Sequence, residues 1–270
     1  MFWTNASLKG YAREKLRGRW PVYLAVTFVY TLITEGAGWL IGLLFPQYSA
    51  QIDELLNHTL NNPMPNPELA MDLLFDLYGS AAGILALSLV VSALVLAVLQ
   101  VGMYRWFMEA RDGAPRFSTL FSGFFSGAQW RNVAWVQFYT SLITGLWGML
   151  FLIPGVVYAY KVFLVPYLLA ENPYMPRKRA VELSKALTNG EKMRVFWLEV
   201  SFIGWFLLIS LAESLVATVL PALSILVVFV GNVFLGIYMQ ATLSEFYAAM
   251  REKAFQMGLS DATELAGFAA

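Results

Sequence analysis

The chain has 270 residues, of which 59% are hydrophobic and only 13% are charged. Soluble domains are about 45–50% apolar and about 25% charged, so this composition argues against a soluble globular protein and favours the bilayer as solvent. The absence of cysteine excludes disulfides, thiolate metal ligands and a thiol nucleophile. The formal net charge is zero, so the positions of the charges carry the information.

The apolar runs, taken in chain order, predict six transmembrane helices. The first run follows a basic segment at residues 1–19 and is too long for a signal-peptide core, so it is interpreted as an uncleaved span. Pro154-Gly155 and Pro221 are predicted to mark tight turns between later runs. Each run can cover a hydrocarbon core about 30 Å thick. The predicted spans are residues 20–45, 81–103, 133–153, 156–170, 196–220 and 223–246.

Residues 46–79 form the longest polar stretch, which is acidic and has no lysine or arginine. Its proline-rich part, residues 61–67, cannot be helical, but short helices at 51–60 and 68–78 are expected. The basic residues cluster instead in residues 1–19, 104–131 and 171–194. The positive-inside rule therefore predicts cytoplasmic termini, cytoplasmic basic loops and an outward-facing 46–79 loop.

The predicted fold is an all-α membrane bundle of about six helices in three hairpins, forming one domain over residues 1–270. A short amphipathic cytoplasmic segment, a glycine and a tryptophan precede each hairpin, which suggests a weak threefold repeat. An alternative is that any positive-inside protein shows such basic segments and interfacial tryptophans. The three segments are residues 6–16, 117–121 and 179–187, followed by Gly18 and Trp20, Gly127 and Trp130, and Gly190 and Trp197.

Several short motifs in the second half of the chain match one bacterial family. They are Pro154-Gly155, Tyr158-Ala-Tyr160, Tyr167, Glu171-Asn-Pro173, Ser184, Gly190-Glu-Lys192, the run from Phe196 to Trp205, Tyr238 and Phe246-Tyr247. In these residues the chain resembles the integral membrane family catalogued as domain of unknown function 975. The resemblance implies six spans and a bacterial origin, and it implies no activity.

No enzyme motif, phosphate-binding glycine loop or metal-ligand cluster is present in the sequence. The single histidine, His58, lies in the polar loop without a second histidine nearby, whereas a metal site needs three or four ligands. We therefore expect a non-enzymatic protein with no cofactor and no bound metal.

Three ionisable residues fall inside predicted spans: Glu35, Lys161 and Glu213. A charge at the bilayer centre costs about 2.5–3.5 kcal/mol, so each needs a partner or water. Counted from the predicted turns at about 1.5 Å per residue, all three lie in the outer half of the bilayer. The hypothesis is a polar cluster with a Lys161–Glu213 ion pair and Glu35 nearby, joined by Asn232 and Gln137 as neutral partners. The alternatives are a structural clasp or a lysine that snorkels to the interface.

The Arg177-Lys178-Arg179 cluster predicts contact with anionic lipids, although the same charges serve as ordinary topogenic signals. The expected partners are membrane lipids, with a second membrane protein left open, and no nucleic acid. Two functions remain: a module that organises lipids or partner proteins in the bacterial cytoplasmic membrane, or a small transporter or channel built on the polar cluster.

Overall fold

The structure, a computed structural model, describes residues 3–44, 53–54, 57 and 67–267. Within these residues the secondary structure is helical, without a strand, which confirms the all-α class. A π-helical segment, Ser92–Leu96, joins α3 to α4, and a 3₁₀ helix, Phe117–Phe124, lies between α4 and α5. The α-helices are α1 (Asn5–Leu16), α2 (Trp20–Leu44), α3 (Pro67–Val91), α4 (Ala97–Asp112), α5 (Gly127–Leu150), α6 (Leu152–Val162), α7 (Val165–Glu171), α8 (Arg177–Thr188), α9 (Lys192–Ala217) and α10 (Pro221–Gln256).

Four helical segments of the described chain are long and apolar enough to cross a membrane: Ala86–Asp112, Leu152–Glu171, Lys192–Ala217 and Leu223–Gln256. Their mean hydropathies lie between 1.6 and 2.3. The chain is thus a helical protein with membrane-spanning candidates. The second of these segments includes both α6 and α7, which are separated by a turn at Phe163 and Leu164.

The chain divides into two compact units, and each is described by itself. The first contains residues 1–30 and 97–270, and the second contains residues 31–96. The second unit holds the last part of α2, then α3 and the π-helical segment. The predicted helix at 68–78 and the span at 81–103 are not separate, because α3 runs unbroken across residue 79. His58 and most of the predicted outer loop lie outside the described residues.

The hairpin between α5 and α6 turns at Phe151, not at Pro154-Gly155 as the sequence suggested. Pro154 lies in the first turn of α6, where proline is tolerated because its missing N–H would have no helical partner. Gly155 allows the two helices to touch: a Cβ atom there would lie 2.5 Å from the Gly148 Cα. The Pro-Gly pair therefore begins α6 and packs it closely on α5.

The buried core of the first unit lies at one end of the long helices. It contains α7, the inner face of α8 and the C-terminal half of α10. Away from this core, the apolar residues of α9 and of the first half of α10 are mostly exposed on the surface. Exposed apolar helix surface of this extent is typical of contact with lipid.

The antiparallel pair of α9 and α10 extends from the core end to the turn at Val219 and Leu220. Phe202 packs edge-on against Tyr238 with ring centroids 5.6 Å apart. The basic helix α1 lies at the same level, because Lys9 Nζ sits 4.1 Å from the Phe202 ring centroid. With 26 residues from Lys192 to Ala217, α9 is about 39 Å long, which is more than the hydrocarbon thickness of a bilayer.

Candidate functional site

Three lysines from three helices line one pocket of the first unit. Lys161 comes from α6, Lys185 from α8 and Lys192 from the start of α9. The pocket has a volume of about 600 Å³, and no carboxylate occurs among the described residues that line it. The Lys185 Nζ lies over the Tyr158 ring at 5.6 Å from the centroid, which is a cation–π distance. Its remaining lining residues are Trp147, Ile153, Pro154, Val157 and Asn189.

Ser184 holds the lysines in this arrangement. Its hydroxyl donates a hydrogen bond to the Lys161 carbonyl oxygen at 2.9 Å and accepts one from the Leu164 N–H at 3.2 Å. These two backbone groups lie where α6 gives way to α7, so the buried Ser184 satisfies groups that the break in the helix would leave unpaired. Because Lys185 follows Ser184 directly, docking α8 onto this break brings Lys185 beside Lys161.

A second polar cluster centres on Glu171 at the end of α7. Its side chain is 0% exposed. One carboxylate oxygen accepts hydrogen bonds from Arg251 Nε at 2.8 Å and from the Gly267 N–H at 2.7 Å. The other accepts from the Tyr247 hydroxyl at 2.5 Å. Glu171 thus joins α7 to α10 and to the C-terminal segment, residues 257–267.

A bidentate ion pair fastens the same C-terminal segment to α8. Arg179 Nε and a terminal nitrogen donate to the two Glu264 carboxylate oxygens at 2.7 and 2.6 Å. These charge-assisted bonds lower the pKa of Glu264 below its ordinary value. Hydrogen bonds from the Thr263 side chain and from backbone N–H groups likewise lower the pKa of Asp261. The carboxylates of this segment are therefore favoured in their charged forms.

Two further ion pairs link α10 to its neighbours at the core end. The buried Lys253 Nζ lies 3.1 Å from the Glu191 carboxylate, whose second oxygen accepts from Arg194 at 2.6 Å. Arg111 binds the buried Glu245 with two hydrogen bonds of 2.8 and 3.0 Å. A small cavity of about 260 Å³ lies beside Arg111 and Arg251, but Glu109, Asp112 and Glu252 also line it. Because residues of both charges line this cavity, it is less selective for a ligand of one charge than the lysine pocket is.

The structure does not bring Lys161 and Glu213 together. Lys161 shares its pocket with Lys192, at the first residue of α9, whereas Glu213 lies 21 residues further along, about 31 Å of helix rise. The ion pairs found within the described residues include no bond between these two side chains. The sequence argument placed Lys161 near the outer surface because it assumed that α6 crosses the bilayer from an outer turn.

The other members of the predicted polar cluster lie apart from this pocket. Glu35 is on α2 in the second unit, so its share in the cluster stays a prediction. Asn232 is on α10 and is exposed. Gln137, proposed as a neutral partner, is buried on α5.

The predicted lipid-contact residues Arg177, Lys178 and Arg179 point to different surroundings. The Arg177 guanidinium stacks over the Tyr139 ring at 3.9 Å from its centroid. Lys178 is exposed, and Arg179 is engaged by Glu264. Their role in lipid contact stays a prediction, and only Lys178 has a side chain directed wholly to the surroundings.

Sequence reasoning missed Lys185 and Lys192 as site residues, although both were counted among the topogenic charges. One available signal was the basic composition of residues 171–194, which include both lysines. That signal still would not have indicated Lys161, whose approach depends on how α8 packs on α6. Among the described residues, no cluster of three or more potential metal ligands occurs.

Comparison with known proteins identifies a family and no individual relative. Neither the curated proteins nor the solved structures give a match to this chain. A sequence model of the family described as "Protein of unknown function (DUF975)" matches residues 68–254, which is more than half of the chain and includes the lysine pocket. The match confirms the resemblance noted in the sequence. The chain therefore belongs to the DUF975 family of proteins of unknown function.

Proposed function

We propose that this protein is a non-enzymatic module of the bacterial cytoplasmic membrane that organises anionic lipids in the cytoplasmic leaflet. In this proposal both termini are cytoplasmic, and six helical segments form three hairpins. The first and third hairpins cross the bilayer, and the middle one, α5–α6, enters only the inner leaflet. The lysine pocket supplies the lipid contact. No cofactor and no nucleic acid take part. The same arrangement also permits a partner protein to bind.

The observation that carries the proposal is the short reach of the α5–α6 hairpin beside α9. Tyr160 near the end of α6 donates a 2.5 Å hydrogen bond to Glu199 of α9. From this shared level α6 extends back only to Leu152, about 12 Å, whereas α9 continues to Ala217, about 27 Å. One leaflet of hydrocarbon is about 15 Å deep, half of the 30 Å core. From this level α6 therefore matches one leaflet and α9 matches two; the segment Leu152–Glu171 reaches 20 residues only when α7, beyond the turn at Phe163 and Leu164, is added to α6.

The exposed surface of the α5–α6 hairpin also supports its insertion into one leaflet. Met149 is 88% exposed and Ile153 is 76% exposed, so its apolar tip is uncovered by the rest of the chain. Basic side chains surround its base, among them Lys161, Lys185 and Arg177. An apolar wedge with a basic base is the pattern of a segment that inserts into a leaflet with anionic headgroups.

Cysteine accessibility tests the depth of the hairpin, and the chain offers a clean background because it has no cysteine. In right-side-out vesicles treated with a membrane-impermeant maleimide, we expect Val219→Cys to be labelled from outside, since it lies at the turn between α9 and α10. Met149→Cys should stay unlabelled from either side until detergent is added, because its position lies within hydrocarbon. Labelling of both variants from outside at similar rates would contradict the one-leaflet hairpin.

Lipid co-isolation tests the function. The protein extracted in native-membrane discs should carry anionic phospholipid at a higher fraction than empty discs from the same membranes, because each basic residue near the surface attracts anionic lipid by about 1 kcal/mol. The two lipid compositions are compared by mass spectrometry. Equal compositions would overturn the proposal. Solute flux across the membrane of reconstituted vesicles, without lipid enrichment in the discs, would favour the transporter alternative.

A further inference from the structure

We propose that the lysine pocket binds the phosphate headgroup of one anionic phospholipid of the cytoplasmic leaflet, with the acyl chains lying along the α5–α6 hairpin. The inference rests on the proposed function and specifies it, because it assigns the lipid to one saturable site and to three residues. The residues that would hold the phosphate are Lys161, Lys185 and Lys192.

The charge of the pocket indicates an anionic ligand. Three lysine side chains line one cavity, and none of the described residues that line it is an aspartate or a glutamate. The nearest acidic residue in sequence, Glu191, is already engaged by Lys253 and Arg194. Like charges in a shared cavity repel one another, and a bound phosphate would replace that repulsion with attraction. Asn189 adds a neutral amide that can donate a hydrogen bond to a headgroup oxygen.

The size and walls of the pocket favour a lipid over a free phosphate ion. A volume of about 600 Å³ is in the range of sites for whole small molecules and exceeds what a phosphate needs. The apolar residues that line the pocket belong to the exposed hairpin: Trp147, Ile153, Pro154 and Val157. A ligand with a charged head and an apolar body matches this division.

The position of the pocket along the membrane normal is also that of a headgroup. Lys161 lies nine residues from Leu152 at the hairpin tip, a rise of about 14 Å. If the tip reaches the middle of the bilayer, the lysines lie at the inner interface, where lipid phosphates are found. The same lysines would be expensive to bury if α6 crossed the bilayer with Lys161 in its centre.

The test counts lipids bound to the purified protein in a neutral detergent by native mass spectrometry during titration with phosphatidylglycerol. We expect one saturable site. Lys161→Gln, Lys185→Gln and Lys192→Gln should each weaken it about fivefold, the effect of about 1 kcal/mol per basic residue. The matched control is Arg116→Gln, which removes the same charge from an exposed position outside the pocket, just before the 3₁₀ helix, and should change the affinity less than twofold.

Two further experiments, with the wild-type protein, identify the source of the phosphate. Their results do not depend on whether a variant folds. Phosphatidylcholine should not occupy the site, and glycerol phosphate at the same concentrations should not displace phosphatidylglycerol from the wild-type protein. Displacement by glycerol phosphate would overturn the lipid assignment in favour of a soluble phosphate. An equal loss in Arg116→Gln would show diffuse electrostatic attraction and overturn the pocket as the binding site. If discs from cells still enrich anionic lipid in that case, the proposed function stands and only this site fails.

Discussion

Glu171→Ala should lower the free energy of unfolding by about 3 kcal/mol, because a buried donor left without an acceptor costs about 1–3 kcal/mol. The substitution removes the acceptor of the Tyr247 hydroxyl and of the Gly267 N–H, and it removes the carboxylate partner of Arg251, which keeps its bond to the Leu265 carbonyl oxygen. Unfolding of the purified protein in detergent, followed by circular dichroism against denaturant, measures the loss. The C-terminal segment should also become accessible to protease, because one of its attachments to the core is gone.

Two comparison variants isolate the buried network from general effects of removing a carboxylate. Glu182→Ala removes the same group from an exposed position of α8 and should change stability by no more than about 0.5 kcal/mol. Glu171→Gln keeps an acceptor for Tyr247 and should fall between the wild type and Glu171→Ala. Equal stabilities of Glu171→Ala and Glu182→Ala would refute the structural role assigned to this network.

Gly102→Ala is expected to destabilise the protein by about 3 kcal/mol, at the upper end of overpacking effects. A Cβ atom at this position of α4 would lie 1.9 Å from the Leu120 carbonyl oxygen and 2.8 Å from its carbon. Both atoms belong to the backbone of the 3₁₀ helix, so a side-chain rotation cannot relieve the clash. The 3₁₀ helix and α4 would have to separate, which the same denaturant titration would detect as a lower midpoint.

Gly145→Ala on α5 provides the control for Gly102→Ala. A Cβ atom there meets nothing within 4 Å, and alanine restricts the unfolded chain and favours the helix. This variant should be neutral or more stable by about 0.5–1 kcal/mol. The two glycine-to-alanine substitutions, both in helices, would then change the stability of the protein in opposite directions. A similar small effect in both would mean that the contact between α4 and the 3₁₀ helix is looser than the structure gives it.

Helix α10 is tied to several neighbouring segments at the core end of the first unit. Its residues Glu245, Tyr247, Arg251 and Lys253 bond to α4, to α7 and to the turn before α9. Ion pairs in such buried positions stabilise weakly when compared with apolar replacements, but they fix which groups face each other. In the proposed function, this end of the unit holds the α5–α6 hairpin and α8 at a set distance from the leaflet.

The bounds of the long helices were largely predictable from sequence. Predicted spans at 20–45 and 196–220 agree within a few residues with α2 and α9, because long apolar runs ended by polar or proline residues leave little choice of register. The short helices at Asn5–Leu16 and Arg177–Thr188 also lie where they were expected. The turn of the middle hairpin was misplaced by three residues, because proline is compatible with the first turn of a helix as well as with a break.

The candidate site was only partly predictable. Lys161 was identified because a charge inside an apolar run needs a partner, and that local argument required no tertiary information. Its surroundings were not predictable. The position of α8 beside the end of α6 depends on Ser184 bonding to backbone groups exposed by the break at Phe163 and Leu164, and neither the break nor the bond leaves a periodic signal in the sequence.

The sequence by itself determined that this is a helical protein with segments long and apolar enough to span a membrane, and it identified the family, because composition and apolar periodicity are properties of the chain that need no tertiary contacts. Only the tertiary structure decided which charges meet. Lys161 lies with Lys185 and Lys192 and not with Glu213, because helices of unequal length pack side by side and their registers are fixed by contacts such as Tyr160 with Glu199. The depth of a charged residue in the membrane and the identity of its partner both depend on that register. Counting residues along one helix does not reveal the register.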